Sequence, residues 1–120
     1  MKLFPDDQRI GLGGAPLAGM FTPISDADAT ATVEAAWDEG WRYFDTAPHY
    51  GLGLAERRLG TALARYPRDE FLLSTKVGRL LEPTPENADR TDDGGFDVPA
   101  AHRRVWDPSP AGVRRSLAES

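Results

Sequence analysis

The sequence contains no cysteine. That absence removes disulfide frameworks, thiolate zinc sites and cysteine nucleophiles together. Histidine is scarce, with His49 and His102 the only two, and no His, Asp and Glu cluster shows metal-ligand spacing, so no metal site is expected. Lysine is equally rare: twelve arginines stand against Lys2 and Lys76. No apolar run approaches the roughly 20 residues of a membrane span, and "MKLFPDDQRI" has no signal-peptide core. A cytoplasmic protein without membrane attachment is the simplest expectation.

A net charge of -5 and 28% charged residues argue against a nucleic-acid or anionic-membrane platform, because phosphate surfaces select basic patches. The 40% hydrophobic content is enough for one globular domain.

Hydrophobic periodicity orders the chain. "RIGLGG" at 9–14 reads as a strand stopping where the backbone turns tightly. Ser25 and Asp28 form a helix-start pattern, Ala29, Thr32, Val33, Ala36 and Trp37 follow at helical spacing, and Gly40 closes the segment. "WRYFDT" at 41–46 is a short aromatic strand. A helix is predicted over residues 54–66, with Ala55, Leu59, Ala62, Leu63 and Tyr66 as its apolar stripe and Pro67 as its stop. "EFLLSTKVG" at 70–78 is a strand whose continuous apolar run suits a sheet covered on both faces.

Strand, helix, strand, helix, strand implies parallel pairing with right-handed crossovers, an α/β architecture. Residues 79–108, rich in proline, glycine and acidic groups, predict a long irregular loop, of the kind that serves as a lid or binding loop. Ser109 and Pro110 then start a final helix whose apolar stripe begins with Val113 and Leu117. About three βα units leave sheet edges open, whereas a (β/α)8 barrel needs about 250 residues.

Sites in such folds form at the carboxyl ends of the strands. Asp45 ends the second strand and Lys76 the third, one βαβ repeat apart, and adjacent strands lie about 4.8 Å from each other. Tyr50 follows in the loop above Asp45. A phenol of ordinary pKa about 10 ionises more readily beside an ammonium, and a carboxylate would hold that ammonium charged. Tyr50 could then exchange a proton with a carbonyl or alcohol oxygen. Lysine, a compact point charge, appears here in a chain that otherwise prefers arginine.

Each residue also has a structural reading. Asp45 could cap a turn, Lys76 could face solvent, and Tyr50 could be a rim aromatic; their coincidence on one face favours chemistry. His49 reads as a pocket-lining residue and His102 as an ordinary loop residue. Neither "GLGGAP" at 11–16 nor "GLGLAE" at 51–56 completes G-x-G-x-x-G, since Pro16 and Glu56 occupy the last position, so a Rossmann site is not expected. Fold class alone leaves open a βα-barrel hydrolase or isomerase using Asp45 and His49.

"GLGGAPL", "FDTAPHYGLGLAERRLG", "LLSTKVGRLL" and "GVRRSLAES" together resemble the amino-terminal part of an aldo-keto reductase, in particular the bacterial aldose dehydrogenase and pyridoxal dehydrogenase-like branch. The resemblance covers nearly all of residues 1–120, read as a partial domain. It implies a (β/α)8 TIM barrel that binds NAD or NADP without a Rossmann domain, and a tetrad of Asp, Tyr, Lys and His. Asp45, Tyr50 and Lys76 match the first three. Gly13, Gly14, Ala15 and Asp45 match the cofactor's nicotinamide end, and His49 falls in the substrate pocket.

The implied reaction interconverts an aldehyde or aldose carbonyl and its alcohol or lactone. The family's catalytic His and adenosine-phosphate contacts belong to later strands, so the reading predicts activity only in a completed barrel. The family's opening β-hairpin is also expected to be short or altered, given only "MKLFPDDQ" before the first strand. The alternative expectation is an inactive remnant or partner-binding fragment that associates through open sheet edges.

Overall fold

The computed structural model describes residues 10–120; the start of the first predicted strand and the expectation about the opening hairpin lie outside them. β1 (Leu12–Gly13), β2 (Tyr43–Asp45) and β3 (Leu72–Ser74) form a parallel sheet in that order. Gly13 sits opposite Asp45, and Asp45 opposite Ser74. All three strands are shorter than the sequence runs that predict them.

The helices between them start and stop on local chemistry. α1 (Asp26–Asp38) opens on Ser25, whose Oγ accepts from the Asp28 N–H at 3.0 Å and donates to the Asp28 carboxylate at 2.8 Å. It closes at Gly40, with φ +87°, where the Gly40 and Trp41 N–H groups reach back to Trp37 and Ala36; this left-handed turn suits glycine. Ala29, Val33 and Ala36 are buried. Thr32, expected in that stripe, instead faces solvent and donates to the Asp28 carbonyl.

α2 (Leu54–Leu63) buries Ala55, Leu59, Ala62 and Leu63. It ends before the predicted residue 66 because Pro67 disfavours helical backbone at the preceding residue. Tyr66 then stacks on Trp37 at 3.8 Å between ring centroids.

Phe44, Leu17, Leu59 and Val33 are the largest fully buried side chains. Phe44 points from β2 into the layer below α1 and α2, edge-on to Phe71. Strand alternation therefore sends Tyr43 and Asp45 to the opposite face.

Residues 79–108 depart from expectation. β4 (Arg79–Pro83) and β5 (His102–Trp106) pair antiparallel, from Arg79 with Trp106 to Pro83 with His102. The signal is weak in sequence because residues 84–101 intervene and no short hairpin turn marks the pair. Cross-strand Glu82 and Arg103 form an ion pair at 2.6 Å. The intervening segment is tied by bonds from Thr84 to Ala101, Ala100 to Arg90 and Asp92 to Val98, and an isolated bridge joins Phe96 to Met20 beyond β1. His102 lies on β5.

α3 (Pro110–Glu119) is capped by Ser109, which accepts from the Gly112 N–H at 3.1 Å. It packs through small residues rather than the predicted apolar stripe. Ser116 donates to the Val113 carbonyl and accepts from the buried Gly78 N–H, and Gly112 abuts Asp107 with no room for a Cβ. Leu117 is 59% exposed.

Candidate functional site

At the carboxyl ends of the parallel strands Lys76 Nζ donates to Asp45 Oδ2 at 2.8 Å and to the Thr46 carbonyl at 3.0 Å. The Lys76 nitrogen also lies 4.9 Å from the centre of the Tyr50 ring. The three residues predicted from strand-end spacing are thus brought together. Tyr50 is held over the cluster by a turn in which its N–H bonds to the Ala47 carbonyl and its own carbonyl accepts from Ala55. Its ring packs against His49 and Phe96.

The electrostatics of the pair are balanced against burial. Partial burial pushes the Asp45 pKa up, but hydrogen bonds from Lys76 and Ser74 and the Lys76 charge prevail and leave it below the ordinary carboxylate value. Burial likewise opposes charge on Lys76, while Asp45 and Tyr50 more than compensate and raise its pKa. Both shifts favour the charged pair.

Ser74 was not singled out from sequence. Its Oγ donates to Asp45 Oδ1 at 2.5 Å. With that proton committed to the carboxylate, Oγ accepts from the Tyr43 hydroxyl at 2.9 Å. The available signal was positional: Ser74 lies two residues before Lys76 and opposite Asp45 in the ladder.

Gly13, Gly14 and Ala15 behave differently from one another. A Cβ on Gly14 would meet the Asp45 carbonyl oxygen at 2.8 Å, and the Gly14 N–H donates to that oxygen at 2.7 Å, so Gly14 serves close strand packing. Gly13 is exposed with nothing within 4 Å of a Cβ position. Ala15 begins a 3-10 turn, Ala15–Ala18. The exposed Gly13, next to Asp45 in the ladder, leaves open space where a planar group could approach the strand ends.

His49 sits beside Tyr50 on the wall of a cleft of about 630 Å³. Burial, then the charges of Arg79, Arg104 and Lys76, push its pKa down to about 4, so its ring is neutral at pH 7. His102, assigned no role from sequence, lines the same cleft. Arg104 is a further residue that sequence reading missed. It bonds both oxygens of buried Asp92 at 2.6 and 2.7 Å and the His49 carbonyl at 2.9 Å.

Parallel βα units with their polar cluster at the strand ends define the amino-terminal part of a (β/α)8 barrel. The chain belongs to the aldo/keto reductase family, whose model matches residues 9–120. It is 53% identical over 113 residues to a D-threo-aldose 1-dehydrogenase from a Pseudomonas species, covering 92% of this chain and 34% of that protein. It is 46% identical over 120 residues to a pyridoxal 4-dehydrogenase from Microbacterium luteolum, with the same coverage of 92% and 34%. Among solved structures, a glycerol dehydrogenase from Gluconobacter oxydans matches with a TM-score of 0.66 and 29% identity, covering 92% of this chain and 30% of that one. The chain spans about a third of the length of these relatives.

Proposed function

We propose that this chain carries the proton-transfer half of an NAD(P)-dependent oxidoreductase acting on a small aldehyde or aldose carbonyl. The contact that carries the reading is Lys76, bonded to Asp45 and 4.9 Å from the Tyr50 ring. A nicotinamide dinucleotide, when bound, supplies or accepts the hydride. Gly13, Gly14, Ala15 and Asp45 would hold its nicotinamide end, where the open space at Gly13 fits a flat ring.

In the reductive direction Tyr50 gives its hydroxyl proton to the carbonyl oxygen as hydride reaches the carbon, leaving an alcohol and a phenolate. Lys76 stabilises that phenolate, and Asp45 keeps Lys76 charged and aimed. In the oxidative direction the Tyr50 oxygen takes the proton back. Neutral His49 lines the pocket, available to bond a substrate oxygen. A cytoplasmic setting belongs to the same reading; no helix among the described residues is long and apolar enough to cross a membrane.

The test is turnover by a full-length barrel carrying this segment, with NADPH and NADH supplied separately against aldehydes and aldoses. Cofactor oxidation matched by alcohol formation is expected. Failure to bind either dinucleotide would refute the reading and favour the hydrolase or isomerase alternative.

A second reading concerns the 120-residue polypeptide alone, and is favoured by Leu73 on the edge strand β3 and Leu117 on α3, 43% and 59% exposed and lining one common hollow. By itself it would be catalytically inactive and associate through that edge. Light scattering should then show assemblies, whereas a cooperatively melting monomer would contradict it.

A further inference from the structure

We propose that the cleft between β4, β5 and the turn bearing His49 and Tyr50 receives an anionic group, a carboxylate or phosphate, on the carbonyl substrate, with Arg79 as the specificity-determining residue. The inference rests on the oxidoreductase reading only in assigning that anion to the substrate.

Charged side chains from both strands of the ribbon and from the segment between them line the cleft. Arg104 is committed to Asp92 in an ion pair whose side chains are 11% and 3% exposed. Arg103 is bonded to Glu82 across the ribbon. Arg90 and Asp93 are exposed at the rim, where water screens them. Arg79 stands apart: among the described residues its side chain has no hydrogen bond or ion pair, and its Nε is buried without a partner. Its guanidinium is held only by stacking, 4.7 Å from the centre of the Trp106 ring. Asp92 exerts some attraction on it, yet both oxygens of that carboxylate already accept from Arg104.

His49 lines the same cleft. His49 Nδ1 is buried and unpartnered, and the charges acting on His49 are those of Arg79, Arg104 and Lys76. His102 also lines the cleft. Buried polar groups without partners are costly and uncommon. Here the residues that carry two of them line a cleft large enough for a small molecule.

The missing partner must neutralise charge as well as accept hydrogen bonds. A sugar hydroxyl could bond the Arg79 guanidinium but would leave its charge uncompensated. A carboxylate or phosphate satisfies both requirements, because its oxygens match the arginine fork. His49, on the same wall, senses the added charge. With Tyr50 lining the same cleft, the selected substrate carries its anion on the part of the molecule extending from the carbonyl toward β4.

The test uses a full-length barrel carrying this segment. Inorganic phosphate, acetate and uncharged xylose are titrated separately while the His49 ring resonances are followed by NMR. A saturable response to phosphate or acetate, with the His49 midpoint moving up, is expected, and the stronger of the two identifies the anion class. Arg79→Gln should weaken binding at least about tenfold, as for loss of a charge-assisted hydrogen bond. Arg79→Lys, which keeps the charge without the fork, should fall between the two.

Equal binding by Arg79→Gln, an equal response to xylose, or no saturable response to either anion would overturn the proposal. Anion binding needs no turnover. Binding without turnover in the complete enzyme would therefore refute the oxidoreductase reading alone, whereas turnover without anion binding would refute this one alone.

Discussion

Ser74 and Asp45 face each other across the β2–β3 ladder, joined by a 2.5 Å hydrogen bond from the serine hydroxyl to Oδ1. Lys76 occupies the other oxygen. The carboxylate is therefore clamped from both sides, and its orientation is set before any substrate arrives. This preorganisation would let the Lys76 ammonium act on Tyr50 without reorganising during the reaction.

Removing one side of the clamp should show in both titration and rate. Ser74→Ala is expected to raise the Asp45 pKa toward the ordinary carboxylate value, measured by NMR of the side-chain carboxyl. In a full-length barrel it should lower kcat by about tenfold, the effect of one lost hydrogen bond to a charged group. An unchanged Asp45 titration would show that the serine does not act on the carboxylate.

The ion pair also predicts a pH window. Asp45 is depressed, so its stabilising contribution is present above the ordinary carboxylate pKa of about 3.9 and is lost as pH falls through its folded value. Lys76 is raised, so its contribution is present below about 10.4 and is lost as pH rises through its folded value. With side chains 44% and 34% exposed, solvent screening keeps the pair's worth within about 1 kcal/mol. Denaturation at a series of pH values, compared with Lys76→Met, should show the difference between the two proteins shrinking at both extremes.

Two adjacent glycines should differ in how tightly packing constrains them. Gly14→Ala places a Cβ 2.8 Å from the Asp45 carbonyl oxygen and should destabilise the chain by about 1–3 kcal/mol through overpacking. Gly13→Ala meets nothing within 4 Å, so the melting temperature should hold while dinucleotide affinity in the full-length barrel falls. Equal behaviour of the two variants in both assays would contradict the division.

The buried pair of Arg104 and Asp92 predicts a large local effect. Asp92→Asn leaves the guanidinium uncompensated in a nearly dry site, and losses of this kind cost about 3–5 kcal/mol. Burial opposes the Asp92 charge, but Arg104 and backbone donors depress its pKa. The contribution is therefore lost as pH falls through that lowered value. Hydrogen exchange should report early opening of residues 84–101 and of the turn carrying His49, which Arg104 ties together.

Much of the frame could be read from the sequence because its signals are local. Ser25, Gly40, Pro67 and Ser109 terminate helices through chemistry contained within a few residues, and strand-end spacing brought Asp45 and Lys76 to one face. The β4–β5 ribbon could not be read this way. Its pairing spans residues 84–101, and its stability draws on contacts such as Arg104 with the His49 carbonyl, 55 positions apart. The apolar stripe assigned to α3 failed for a related reason: close approach at Asp107 and Gly78 selects Gly112 and Ser116 at the interface and leaves Leu117 outside. Ser74 was hidden by its ordinariness, since a serine gains meaning only once the register places it opposite Asp45.

The most direct test of the account is the Tyr50→Phe variant of a full-length barrel, compared with the parent for NADPH binding by fluorescence quenching and for aldehyde reduction at saturating substrate. If Tyr50 is the proton donor, turnover should fall by about 10²- to 10⁴-fold, the scale of a lost general acid, while the dissociation constant for NADPH stays unchanged. Turnover equal to the parent with cofactor still bound would contradict the role assigned to Tyr50, and with it the purpose assigned to Lys76 and Asp45.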